Sequence, residues 1–129
     1  MGGTSSTKPA LEASVANTFD MLSWEIELAG ARCIFLDTLV GELLPTIPPE
    51  KRERLIQGMH AVDLLAQHLT NLSAFARRLA DDAPDAAILV EKGLDDVTLG
   101  DLKNRMRTAL GGQEETFDEG AQAGALDLF

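Results

Sequence analysis

The chain has 129 residues, 45% of them apolar, but it holds five Phe, one Trp and no Tyr. That is the size of one ordinary domain, with a core of Leu, Ala, Val and Ile that favours packed helices over sheets. A formal charge of -10 opposes phosphate backbones, and the cluster Lys51, Arg52 and Arg54 is too small to reverse this, which argues against nucleic acid as a partner.

Residues 1–9 are rich in Gly, Ser and Thr and read as a disordered N-terminus. They lack the charged-then-apolar order of a signal peptide, and no apolar run approaches the roughly 20 residues of a membrane span, so the expectation is a cytoplasmic protein with no membrane partner. Helical patterning begins near Pro9, a residue suited to a first helical turn. Val15, Phe19, Leu22, Ile26, Ala29, Cys33, Leu36, Val40 and Leu43 then recur at alternating spacings of four and three. This seam predicts one helix over 10–44. Cys33 falls on it and reads as a small buried hydrophobe. No second cysteine is present to form a disulfide.

Pro45, Pro48 and Pro49 interrupt backbone hydrogen bonding and predict a tight reversal. The next helix starts with Pro in its first turn and Glu50 at its positive end. Its seam is Leu55, Met59, Val62, Leu65, Leu69, Leu72, Ala76 and Leu79, which carries it to about Asp82. Met21, Leu28, Phe35 and Leu39 form a second apolar stripe on the first helix, with Trp24 nearby, so a hairpin alone leaves apolar surface uncovered. Pairing of two hairpins into a four-helix bundle is the favoured solution over cover by the C-terminal helices.

Ala86 to Lys92 reads as a short helix closed by Gly93. Thr98 and Asp101 have the spacing of a capping box for a further helix ending before Gly111. The fold class is therefore all-α, a long antiparallel helical hairpin with short C-terminal helices over 10–111. Residues 112–129 form a flexible acidic linker closed by the apolar cluster Leu126, Leu128 and Phe129. Such a cluster reads either as a frayed terminus or as a tethered peptide that becomes helical in a partner's groove.

The second helix also carries a polar strip. At about 100° per residue, His60, Asp63, Gln67, Asn71 and Ala74 share one face, roughly opposite Val62 and Leu69, and should meet solvent. Acid and amide one turn apart recur at Asp118 and Gln122, so spacing alone carries no function. The mid-helix position of Asp63 and Gln67 is what singles them out, because a rigid rod can hold side chains for insertion into another protein's site. His60 and Asn71, on the same strip, are candidate partner contacts.

With these features in order, the chain resembles the CheZ-type chemotaxis phosphatases, and most closely the short alphaproteobacterial CheZ-like proteins (CheT). The resemblance rests on the long hairpin, the Asp63-Leu-Leu-Ala-Gln67 motif at mid-helix, and the acidic linker ending in Ala125-Leu-Asp-Leu-Phe129. It implies hydrolysis of the aspartyl phosphate of a CheY-like response regulator, which supplies the Mg²⁺; this chain binds no metal or cofactor of its own. On that reading Gln67 orients the attacking water. An amide donates and accepts without adding charge beside a phosphate. Asp63 would pair with the regulator's active-site lysine.

Two other readings stand beside it. A noncatalytic helical adaptor fits the same periodicity. A histidine phosphotransfer module fits less well, since neither His60 nor His68 begins the usual His-x-x-Lys-Gly pattern. Paired Glu-x-x-His motifs of bundle metal enzymes are missing, and Ser73 has no pattern of nucleophile and base.

Overall fold

The computed structural model describes residues 10–112. Two long antiparallel helices dominate it, α1 (Val15–Leu43) and α2 (Pro49–Asp81). They are joined by a 3-10 turn at Leu44–Thr46. A two-stranded antiparallel sheet, β1 (Glu12–Ser14) and β2 (Ala87–Leu89), with the short helices α3 (Glu91–Asp95) and α4 (Gly100–Ala109), closes the opposite end.

The proline turn forms for the reasons the sequence suggests. Pro49 takes the first turn of α2 with Glu50 beside it at the positive helix end. Arg52 then reaches back over the connection, its Nε donating to Ile47 O at 2.8 Å and its Nη2 to Pro45 O at 3.1 Å. One member of the small basic cluster is thus occupied in pinning loop carbonyls that the helix ends leave without partners.

The centre of the contact between α1 and α2 is built from small side chains, with larger seam residues such as Met59 and Leu69 beside them. Among the described residues, α1 buries Met21, Ser23 and Gly30, while α2 buries Ala66, Ser73 and Ala76. Ser23 and Gly30 lie one heptad apart on α1, as Ala66 and Ser73 do on α2, so each pair forms a stripe down one side of its helix. A Cβ built on Gly30 would stand 3.5 Å from Leu69 Cβ, and one on Gly41 would stand 3.7 Å from Met59 Cε. The helices approach closely along this line.

The expected seam is met in part: Ala76 is buried, and Met59, Val62 and Leu69 are half-buried beside the contact, whereas Leu65 and Leu72 turn to the edge. Leu65 and Leu72 remain 47% and 52% exposed, and Leu43 51%. Leu65 and Gln67 flank Ala66 in sequence and project about 100° to either side of it. Leu72 and Ala74 flank Ser73 in the same way, and Leu22 and Trp24 flank Ser23. Ala29, Leu36, Leu65 and Leu72 lie on one side of the hairpin, with Leu22 inside the packing of the closed end, and the polar strip lies on the other side together with the exposed Trp24 and Ile34 of α1.

The best-buried cluster is at the closed end, where Ala13, Met21, Val90, Leu94 and Leu110 pack with Leu11, Leu22 and Met106. The sheet that frames it corrects two expectations. Residues 12–14 are a strand, with α1 beginning only at Val15, because Ser14 Oγ accepts from Asn17 N and caps the helix there. Residues 87–89 are its partner and not a helix, with Ala13 opposite Ile88 and with Val90 N donating to Leu11 O at 3.0 Å. The class is mostly helical rather than all-α.

Gly93 lies inside α3 and does not close a preceding helix. The Thr98–Asp101 capping box does not form either: Leu99 occupies the N-cap of α4 without a side-chain bond. The end of α4 agrees with the sequence. Gly111 adopts φ 94°, a left-handed conformation suited to glycine. Gly111 N bonds Thr108 O and Gly112 N bonds Arg107 O, the double closure of a Schellman motif.

Charged pairs fasten this end to the hairpin. Arg105 grips Glu25 with two hydrogen bonds of 3.0 and 2.8 Å, which hold its guanidinium above its usual pKa. Arg107, only 7% exposed, pairs with Glu91 at 2.9 Å across α3 and α4. Asn17 Nδ2 also donates to Ala109 O at 3.0 Å.

Candidate functional site

Asp63 and Gln67 stand near the middle of α2, a helix of 33 residues and about 50 Å. They lie to one side of the buried Ala66, which fixes the helix rotation by packing against α1. Both side chains are exposed, as are His60 and Asn71 on the same strip. The strip thus lies where the periodicity places it. His68, by contrast, projects on the far side of α2 from the contact stripe.

Toward the closed end, this side continues into an open groove of about 470 Å³, lined by Glu27, Ala31, Ile34, Thr70, Ala74 and Arg77 among others. Ala31 and Ala74 each follow a buried small residue, so their shared groove sets these edges of the two helices on the same side of the hairpin. Arg77 meets Glu27 at 3.2 Å and Asp20 at 4.0 Å. These pairs are exposed and contribute little to stability. Thr70 turns its hydroxyl back to Ala66 O at 3.0 Å and is satisfied within its own helix.

The neighbour of Asp63 on α1 is Asp37, which the sequence reading misses. Burial, together with the hydrogen bond and the charge of Asp63, holds the Asp37 carboxyl above its usual value, while His60 acts in the opposite direction. Asp37 Oδ1 is buried and no donor reaches it. Two ionised carboxylates offer only acceptors, so a hydrogen bond between them requires one to carry a proton. The signal for Asp37 was available in its place one heptad beyond Gly30, on the line already carrying Ser23.

Ser73, considered alone as a nucleophile, is committed elsewhere: it is buried and hydrogen-bonded to Ser23. Cys33 is half-buried rather than fully enclosed. Among the described residues, no group of three or more His, Cys, Asp or Glu is arranged to hold a metal ion, and no helix is long and apolar enough to cross a membrane. Leu126, Leu128 and Phe129, the expected partner-binding peptide, and the second acid-amide pair at Asp118 and Gln122 lie outside the described residues.

The arrangement is that of a helical-hairpin protein which presents acid and amide side chains from a rigid rod. The chain belongs to the DUF8776 family, a domain of unknown function, whose family model matches residues 22–129. No curated protein and no solved structure matches it.

Proposed function

We propose that this chain is a phosphatase that accelerates hydrolysis of the aspartyl phosphate on a CheY-like chemotaxis response regulator. The observation that carries this reading is the exposed pair Asp63 and Gln67, held one turn apart at mid-hairpin. The resemblance to CheZ-like proteins supplies the reaction, because a hairpin by itself specifies no chemistry.

Catalysis in such a complex is positioning. The regulator brings the phosphorylated carboxylate and Mg²⁺, and the hairpin brings an amide to a water molecule. Gln67 would accept a hydrogen bond from that water and donate to a phosphoryl oxygen, which sets the water in line with phosphorus. Asp63 would take the regulator's lysine in a charge-assisted hydrogen bond. The pair spans about 6 Å of helix, so docking at Asp63 fixes the reach of Gln67. His60 and Asn71 would border the contact, and Leu126 to Phe129 would raise capture of the regulator as a tethered peptide.

The exposed leucines on one side of the hairpin support a homodimer, and a cytoplasmic location is part of the same proposal. Leu65 and Leu72, about half exposed, lie with the half-buried Leu36 on one side of the hairpin. A second copy laid there would complete a four-helix bundle and leave Asp63 and Gln67 pointing outward.

A noncatalytic adaptor is the second reading, favoured by the large apolar side chains exposed on α2, among them Leu64 at 53% and Phe75 at 62%. A helix of this kind can bind a signalling protein without chemistry. One assay separates the two: phosphate release from candidate phosphorylated regulators, with Mg²⁺, with the wild-type chain and with Gln67→Ala. Release that depends on Gln67 supports hydrolysis. Binding without accelerated release supports the adaptor, and a stable phosphohistidine would indicate phosphotransfer.

A further inference from the structure

We propose that Asp37 is a positioning residue for Asp63: the two carboxyl groups share one proton across the hairpin, which draws Asp63 against α1, and loss of that proton frees it to point outward. The pair is set by the helix register. Gly41 faces Met59 across the helix contact. One turn earlier on α1 and one turn later on α2, the same register brings residue 37 against residue 63. Gly30 against Leu69 and Ser23 against Ser73 extend the alignment in the same direction.

Asp37 Oδ1 is buried without a donor, a costly state for an ionised oxygen. A proton held between Asp37 and Asp63 relieves it, because the protonated carboxyl donates to the other. The titratable groups recorded against Asp37 are Asp63 and His60, both on α2. The Leu44–Thr46 turn carries none. Helix α4 meets α1 at its other end, through Asn17 and Glu25. His60 favours the ionised state of Asp37 and Asp63 opposes it. The balance between these two neighbours therefore sets how much of the time Asp63 is held.

In the protonated pair Asp63 carries part of a single negative charge and is engaged with α1. In the doubly ionised pair, repulsion turns the more exposed carboxylate, Asp63, toward solvent, where a cationic side chain can take it. The consequence for docking rests on the function proposed above, whereas the shared proton does not, and the two are tested apart.

The experiment is a pH titration of the whole chain followed by the ¹³Cγ resonances of Asp37 and Asp63. In the wild type both resonances should sense the same two steps, as interacting carboxyls do. In Asp37→Ala, Asp63 should titrate once. In Asp37→Asn the amide donates to Asp63 at every pH, so Asp63 should titrate once and at lower pH than in Asp37→Ala. Amide spectra of each variant establish that the hairpin is intact, and the Asn variant decides the matter should the Ala variant fail to fold. Wild-type Asp63 that titrates in a single step, unchanged by either substitution, overturns the proposal. Coupled titration without any phosphate release would leave the proposal standing and remove the phosphatase reading instead.

Discussion

Ser23 and Ser73 join the two long helices through a reciprocal pair of hydrogen bonds: their Oγ atoms are 3.0 Å apart, and Ser73 Oγ donates to Ser23 O at 2.8 Å. With its proton so used, Ser73 accepts from the Ser23 hydroxyl, and both buried groups are satisfied. Ser73→Ala removes both bonds and leaves the fully buried Ser23 hydroxyl without this partner. The expected cost is about 2 kcal/mol, read as a lower urea midpoint with an unchanged slope.

Gly30 tolerates a methyl group but not a branch. A Cβ added there would meet Leu69 Cβ at 3.5 Å and Ala66 O at 3.9 Å, both ordinary contact distances. Gly30→Ala should therefore stabilise α1 by roughly 0.5–1 kcal/mol through helix propensity. Gly30→Leu should wedge the helices apart and cost about 1–3 kcal/mol. Thermal unfolding of the two variants, shifted in opposite directions, checks the closeness of the approach.

Arg107→Ala should loosen the closed end, because it breaks the ion pair to Glu91 and removes a long stem from the packing around it. A loss on the order of 2 kcal/mol is expected from the hydrogen bonds to a charged group. Hydrogen exchange should rise first in α3 and α4, and only secondarily in the middle of α1 and α2.

The pH dependence of stability has a definite sign at Asp37. Its folded pKa is raised from 3.8, so the folded chain holds that proton more tightly than the unfolded one. The associated stability is fully present below the unfolded value and is lost as pH rises through the folded value. Asp37→Asn should raise the melting temperature relative to wild type at neutral pH, with the gain shrinking as pH falls toward and below 3.8. A gain that instead grew in acid would contradict the raised value.

Gln67→Ala should lower phosphate release by about 10² while sparing affinity for the phosphorylated regulator, as expected on losing a group that acts in the transition state. Gln67 is exposed, so circular dichroism and melting should scarcely change. Full activity in this variant would remove the proposed role.

The hairpin was legible because long helices announce themselves by period and prolines announce their ends. Residues 49–81 fall almost where Pro49 and Asp82 bound them. The rotation of the helices about their axes was harder to read. Leu65 and Leu72 mark a seam, yet Ala66 and Ser73 pack against α1, since small side chains permit a closer approach than leucines. The ribbon was not legible at all. Glu12–Ser14 and Ala87–Leu89 are too short for a period to show, and each is a strand only because the other is beside it. Asp63 and Gln67 could be placed from the second helix alone. Asp37 could not, because its importance lies in the register between two segments far apart in sequence.

Leu11 and Gly112 touch at the closed end, where a Cβ on Gly112 would come within 3.1 Å of Leu11 Cδ2. The described chain is in effect a loop whose ends meet. A short linker joining residues 10 and 112, with new termini cut into the proline turn, should yield a circular permutant that keeps both long helices unbroken. The same closeness suits the domain for insertion into a surface loop of a host protein, from which it would stand out as a stalk about 45 Å long.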